Sequence, residues 1–150
     1  MANFQDILSK PSASIETPKA LPVGTYLCII DGQPEFAKIG KNQTDCVNFS
    51  LKPVQAQPDV DQEQLQSALN VNGAVSTLAD KKIRHRLFIT EDAVWRLKKF
   101  LDDCGVEEGT KSLGERIPES MGKQVLVTMG HRASDDGTQI FGEVKGTAKV

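Results

Sequence analysis

Residues 83–89, Ile-Arg-His-Arg-Leu-Phe-Ile, alternate one for one between two chemistries. Successive side chains of an extended strand leave opposite faces. Ile83, His85, Leu87 and Ile89 therefore share one face, and Arg84, Arg86 and Phe88 share the other. An aliphatic row turned to a core, backed by two guanidiniums and a ring, suits a platform for single-stranded nucleic acid. Guanidiniums neutralise phosphates, and an exposed ring gives a base something to stack on. The same pattern also describes an ordinary solvated face with one stray aromatic, so the surroundings decide.

Those surroundings supply more cations. Lys82, with Lys81 beside it, extends the charge at the start of the segment. Lys38 and Lys41 flank a turn in which Gly40 and Asn42 permit close backbone approach. Lys52 leaves the preceding strand, and His131 and Arg132 stand before the Asp136-Gly137 turn. These positions are expected to converge on one groove, although Asp135 and Asp136 count against a uniformly positive loop. Tyr26, Phe36 and Phe141 are further candidates for base stacking, at positions that more often belong to a core or a barrel edge. Arg96, Lys98 and Lys99 fall on a helix expected to face away from the groove. Trp95 is expected to pack against the insertion described below or against the barrel bottom.

Patterns for catalysis are missing. Gly40-Lys41-Asn42 lacks the rest of a phosphate-cradling loop, and neither a GxSxG elbow nor an HExxH helix occurs. Cys28, Cys46 and Cys104 are odd in number and far apart, and His85 and His131 are not at ligand spacing. The reading is a non-enzymatic protein with no metal, no cofactor and three reduced thiols.

The elements that must hold these residues run as follows. Residues 1–22 read as an arm: Phe4, Ile7 and Leu8 have the spacing of a docking helical turn, and Pro11, Pro18 and Pro22 bar longer structure. Val23–Ile30 is strand one, with Phe36–Ile39 extending the sheet before the Gly40 turn. Cys46–Leu51 is strand two. Residues 54–82, polar and acidic, read as an insertion outside the barrel, with Asp61 capping a short helix whose apolar edge is Leu65, Ala68 and Leu69. Ile83–Ile89 is strand three. Thr90 is expected to cap a helix over about 91–104, with Val94, Leu97, Leu101 and Cys104 as its apolar stripe, Trp95 and Phe100 at the margins, and Gly105 after its end. A loop follows, then strand four (Lys123–Met129), a hairpin turn at Ser134–Gly137, strand five (Gln139–Lys145) and a short tail at 148–150. The order β-β-β-α-β-β predicts a mainly β chain, an OB-like barrel over residues 23–147 with one main helix.

The chain is 150 residues long with a net charge of −2, enough for one domain and too acidic for a protein coated in positive charge. Affinity would have to come from a local patch, which predicts modest binding per subunit and cooperative or homo-oligomeric assembly. No apolar run approaches a membrane span and no signal peptide opens the chain, so the expectation is a cytoplasmic protein with no membrane partner.

Three stretches resemble a family of small phage single-stranded DNA-binding proteins. They are Leu21-Pro22-Val23-Gly24-Thr25-Tyr26 with the turn Lys38-Ile39-Gly40-Lys41-Asn42; Arg86-Leu87-Phe88-Ile89 with Ala93-Val94-Trp95-Arg96-Leu97-Lys98; and Met121-Gly122-Lys123-Gln124-Val125-Leu126-Val127 with Glu143-Val144-Lys145-Gly146. The resemblance implies an OB-like barrel that binds single-stranded DNA in phage replication or recombination, in the host cytoplasm, alongside other replication or recombination proteins. RNA is a second candidate ligand. Two departures stand out: the long acidic insertion, and an end without the acidic tail of bacterial single-strand binders. The alternatives are a virion structural or decoration protein built on the same barrel, and a protein-interaction module acting on a replication enzyme.

Overall fold

The computed structural model describes residues 4–14 and 19–150, apart from the side chains of Ile7 and Ser14. The chain is mainly β, an antiparallel sheet with a few helices. Strand β1 (Gly24–Ile30) buries every second residue, and β2 (Glu35–Ile39) continues its line after a break at Asp31–Pro34. Both pair with β3 (Thr44–Ala56), whose 13 residues make it the spine of the sheet.

Strand β3 runs five residues past the expected end at Leu51, through Pro53. A proline has no N–H for a ladder and survives mid-strand only at an irregularity. The register supplies one: Cys28 pairs with Pro53 but Leu27 pairs with Gln55, so Val54 is an extra residue that bends the strand.

The segment read as lying outside the barrel contributes to it: residues 54–56 end β3, and part of the rest is buried in the core. Helix α1 (Phe4–Leu8) in the arm leaves Phe4 and Leu8 exposed; Ile7's side chain and Pro18 lie outside the described residues. Helix α2 (Gln62–Leu69), by contrast, buries Leu65, Ala68 and Leu69, the edge read from sequence, and Asp61 caps it by accepting the Gln64 N–H at 3.0 Å. Val60, Leu65 and Leu69 join the main apolar cluster. A small hairpin, β4 (Asn70–Val71) and β5 (Ala74–Val75), turns on Asn72 and Gly73, both at positive φ.

The insertion is anchored at the start of β1. The Thr25 N–H and hydroxyl donate to the Asp59 carboxylate at 3.0 and 2.9 Å. Gly24, at φ +145°, lets Val60 come so close that a Cβ there would lie 2.6 Å from the valine methyl. Gly24→Ala is expected to lower stability by about 1–2 kcal/mol, through strain and loss of that approach. An unchanged urea midpoint would show that the loop yields freely.

Strand β6 (Ile83–Phe88) pairs with the free edge of β3, and helix α3 (Val94–Asp103) follows. The helix begins three residues later than expected. Thr90 does not cap it: its hydroxyl donates to Asp92, its carbonyl closes a turn onto Ala93 and Val94, and Ala93 is the first boundary residue. Phe100, expected at the margin, is at the centre of the core, stacked on Phe49 at 4.6 Å and on His85 at 5.0 Å.

The expected loop at 113–119 is helix α4 (Leu113–Glu119), capped by the Ser112 hydroxyl, which accepts the Glu115 N–H at 3.2 Å. Arg116 on α4 is buried, donating to the Asp102 carboxylate at 2.7 Å and the Val106 carbonyl at 2.8 Å, which ties α4 to α3. Strands β7 (Gln124–Ala133) and β8 (Ile140–Ala148) form the last hairpin, turning at Ser134–Gly137 as expected.

The sheet order is β2-β3-β1-β7-β8, with β6 on the other edge of β3. Among the described residues no pairing joins β6 to β8, so the sheet does not close into a complete barrel. Cys28, Cys46 and Cys104 are buried free thiols, and burial pushes Cys28 and Cys104 up to about 12. Among the described residues no helix is long and apolar enough to cross a membrane.

Candidate nucleic-acid interface

Strand β6 has the two faces its alternation predicts. Ile83 and Leu87 are buried, His85 is part-buried against Phe100, and Arg84, Arg86 and Phe88 are exposed. Arg84 pairs with Ser50 and Arg86 with Asn48, whose amide oxygen accepts the Arg86 Nε–H at 3.1 Å.

The expected convergence is partial: Lys82 and Lys52 continue the Arg84–Arg86 and Asn48–Ser50 rows and share their face, whereas Phe36, Lys38 and His131 do not. Directly opposed residues of an antiparallel pair share a face. Phe36 opposes Val47 and Lys38 opposes Asp45, whereas Arg86 opposes Asn48. Val47 and Asn48 are neighbours in one strand, so Phe36 and Lys38 fall on the face opposite to the arginines. Lys38 is also 3.5 Å from Asp45, and Lys82 is 3.0 Å from Asp31, whose carboxyl it holds below the usual range. Lys52 is half-buried on β3 beside the same Asp31, and Lys41 is exposed at the β2–β3 turn.

His131 sits elsewhere again. Its Nε2 is 2.7 Å from the Leu21 carbonyl, which ties it to the entry of β1. Arg132 stacks over Phe141 at 5.8 Å and lies 3.6 Å from Glu143. His131 and Phe141 border an apolar cavity of about 560 Å³ between residues 19–22, α2 and the β7–β8 turn. Tyr26 is not available to a base. It is fully buried, its hydroxyl donates to the Pro22 carbonyl at 2.8 Å, and burial with the nearby Asp59 charge pushes the phenol up to about 12.

What Arg84 and Arg86 do meet is helix α3. A groove of about 670 Å³ runs between β6 and β8 over α3, where a sixth pairing would have closed the sheet. Arg84 and Arg86 line one wall, Trp95, Arg96 and Lys99 the second, and Glu143 to Thr147 the third. Lys99 is held by Asp103 at 2.7 Å and by the Thr147 carbonyl at 3.1 Å, and Lys145 by Glu143. Among the described residues, Arg84, Arg86 and Arg96 have no carboxylate within ion-pair distance. Three of the chain's five arginines thus border one groove without an ion pair, although the Asp92 carboxyl, held below its usual range first by the Thr90 hydroxyl, also feels the Arg96 charge.

No protein-family model matches this chain, and no curated protein matches it.

The cations of α3 divide around this groove, which lies at the β6–β8 seam and not among the loop lysines as expected. Lys98 faces away, bonded to Asp102 at 3.1 Å and 3.5 Å from Glu108. Arg96 and Lys99, three residues apart and so on one side of the helix, face the groove. Trp95, expected to pack, is 58% exposed there. Sequence reasoning sends Trp95 to packing and Arg96 and Lys99 to solvent, so it misses them as a site. Nothing local told which way α3 rolls against β6.

Proposed function

We propose that the protein binds single-stranded DNA, largely without regard to sequence, through the groove between β6 and β8. It acts as a non-enzymatic single-strand binder of the phage type its sequence resembles, serving replication or recombination in the host cytoplasm. The observation that carries this reading is the cluster of three arginines, none in an ion pair, that border the groove. In a chain of net charge −2 such a cluster is a local anion site, and a phosphate backbone is an extended anion that such a site can take.

An OB-like barrel fits the pairings. Strand β1 pairs with β3 and β7, β3 with β6, and β7 with β8, leaving one open seam, as in a partly open five-stranded barrel. The groove occupies that seam. Binding by a patch this small gains from neighbouring copies along the strand, so assembly on DNA is cooperative.

Titration of a labelled oligothymidine by anisotropy tests the reading. Binding at low salt that weakens linearly with the logarithm of salt is expected. An oligouridine in parallel separates DNA from RNA preference. Absence of binding at low salt refutes the proposal. Phe88 continues the Arg84–Arg86 row but lies beyond the groove and is only 39% exposed. Phe88→Ala is accordingly expected to weaken binding by about 1 kcal/mol, the low end for a base–aromatic stack.

One observation favours a second reading, a protein-interaction module. Both β6 and β8 present an unpaired edge to the groove, which an extended segment of a partner could enter as an added strand. Such binding would be nearly insensitive to salt and unaffected by oligothymidine.

A further inference from the structure

We infer that Trp95, on helix α3, is the base-stacking platform of the groove, and that the bound strand crosses α3 with its phosphates toward Arg84 and Arg86. The inference rests on the single-strand-binding reading and adds to it the element and the ring that meet the bases.

Trp95 is the chain's sole tryptophan and stands 58% exposed on the first turn of α3. A large ring left open costs solvation that a core site would recover, and the helix has a core face available: Leu97, Phe100 and Leu101 are buried on it. Trp95 instead lines the groove that Arg84 and Arg86 also line. The Arg96 guanidinium lies 5.3 Å from the indole centroid, so the ring is braced by a cation from its own helix. That guanidinium makes no ion pair among the described residues, its charge reaching Asp92 only at longer range, which leaves it able to meet a phosphate while it steadies the ring.

The chemistry selects unpaired bases. An indole beside three guanidiniums offers a π-face for a base and charges for the phosphates on either side of it. In a duplex the base faces are stacked on each other and cannot reach the ring. The other rings are less suited: Phe141 has Arg132 and the β7–β8 turn around it, Phe36 is on the opposite face of the sheet, and Tyr26 is buried.

The sole tryptophan also reports on its own site. Oligothymidine is titrated into the protein while indole emission and the anisotropy of a labelled oligothymidine are followed together. Emission is expected to be quenched in step with the anisotropy rise, and an abasic oligomer of equal charge is expected to bind more weakly without quenching. Trp95→Ala is expected to weaken binding roughly 5- to 100-fold, the range for one lost stack, while Trp95→Phe keeps most of it. Thermal unfolding of both variants should match the parent, because the ring packs in no core. If anisotropy rises while emission stays constant, and Trp95→Ala binds like the parent, the Trp95 assignment is overturned and the single-strand reading stands. If anisotropy never rises, the reading itself falls. Should a variant fail to fold, the unmodified protein's emission with normal and abasic oligomers decides alone.

Discussion

Replacing Arg84 and Arg86 together by alanine is expected to weaken oligothymidine binding on the order of 100-fold at low salt, since two charge-assisted phosphate contacts are lost. The slope of log affinity against log salt should fall by about 2, one for each phosphate no longer neutralised. The loss should be uniform across sequences, because a phosphate contact carries no base information. Folding should survive: both side chains are exposed, and the single bond from Arg86 to Asn48 is worth about 1 kcal/mol. Lys38→Ala is the informative control. Lys38 lies on the other face of the sheet, paired with Asp45, and should leave both affinity and slope unchanged. Equal losses from the two variants would mean that charge in general, and not the groove, does the binding.

The second large effect is on stability. His85 is enclosed beside Phe100, and burial lowers it from 6.5 to about 4. The unfolded chain takes up the His85 proton near pH 6.5, the folded chain only near pH 4. Between those values the unfolded state holds more protons, so stability is full above about pH 6.5 and falls as pH drops toward 4, by at most about 3 kcal/mol. Carboxylates held below their usual value, such as Asp136 at about 2, contribute above their unfolded values near 3.8 and are lost only below that window. Urea unfolding at pH 7.5, 5.5 and 4.5 should show the decline, and His85→Leu should flatten it. An equally steep decline in that variant would assign the acid sensitivity elsewhere.

Much of the local structure could be read without coordinates of any kind. Strict alternation over 83–89 placed Arg84, Arg86 and Phe88 outward, and Asp61 announced α2 with its buried edge. The errors have physical causes. Pro53 looked like the end of a strand because a bulge that absorbs it leaves no mark in sequence. The polar composition of 54–82 concealed Val60, and it hid that the apolar edge of α2 turns into the main core. Helix α4 was announced by Ser112 and Glu115, a capping pair that Gly114 and Pro118 obscured.

The amino-acid sequence by itself determined which residues are two-sided: a strand's period of two and a helix's period of 3.6 follow from backbone geometry alone. It therefore named the basic face of β6, while it left Trp95 of α3 to packing and the α3 cations to solvent. Only the tertiary structure decided that Arg84, Arg86, Trp95 and Arg96 border one groove at an open seam, and that Lys38, His131 and Tyr26 do not join them. That decision depends on strand register and on the roll of one helix against one sheet. Both are set by long-range packing, the stacking of Phe100 on Phe49 and His85 above all, between residues far apart in the chain.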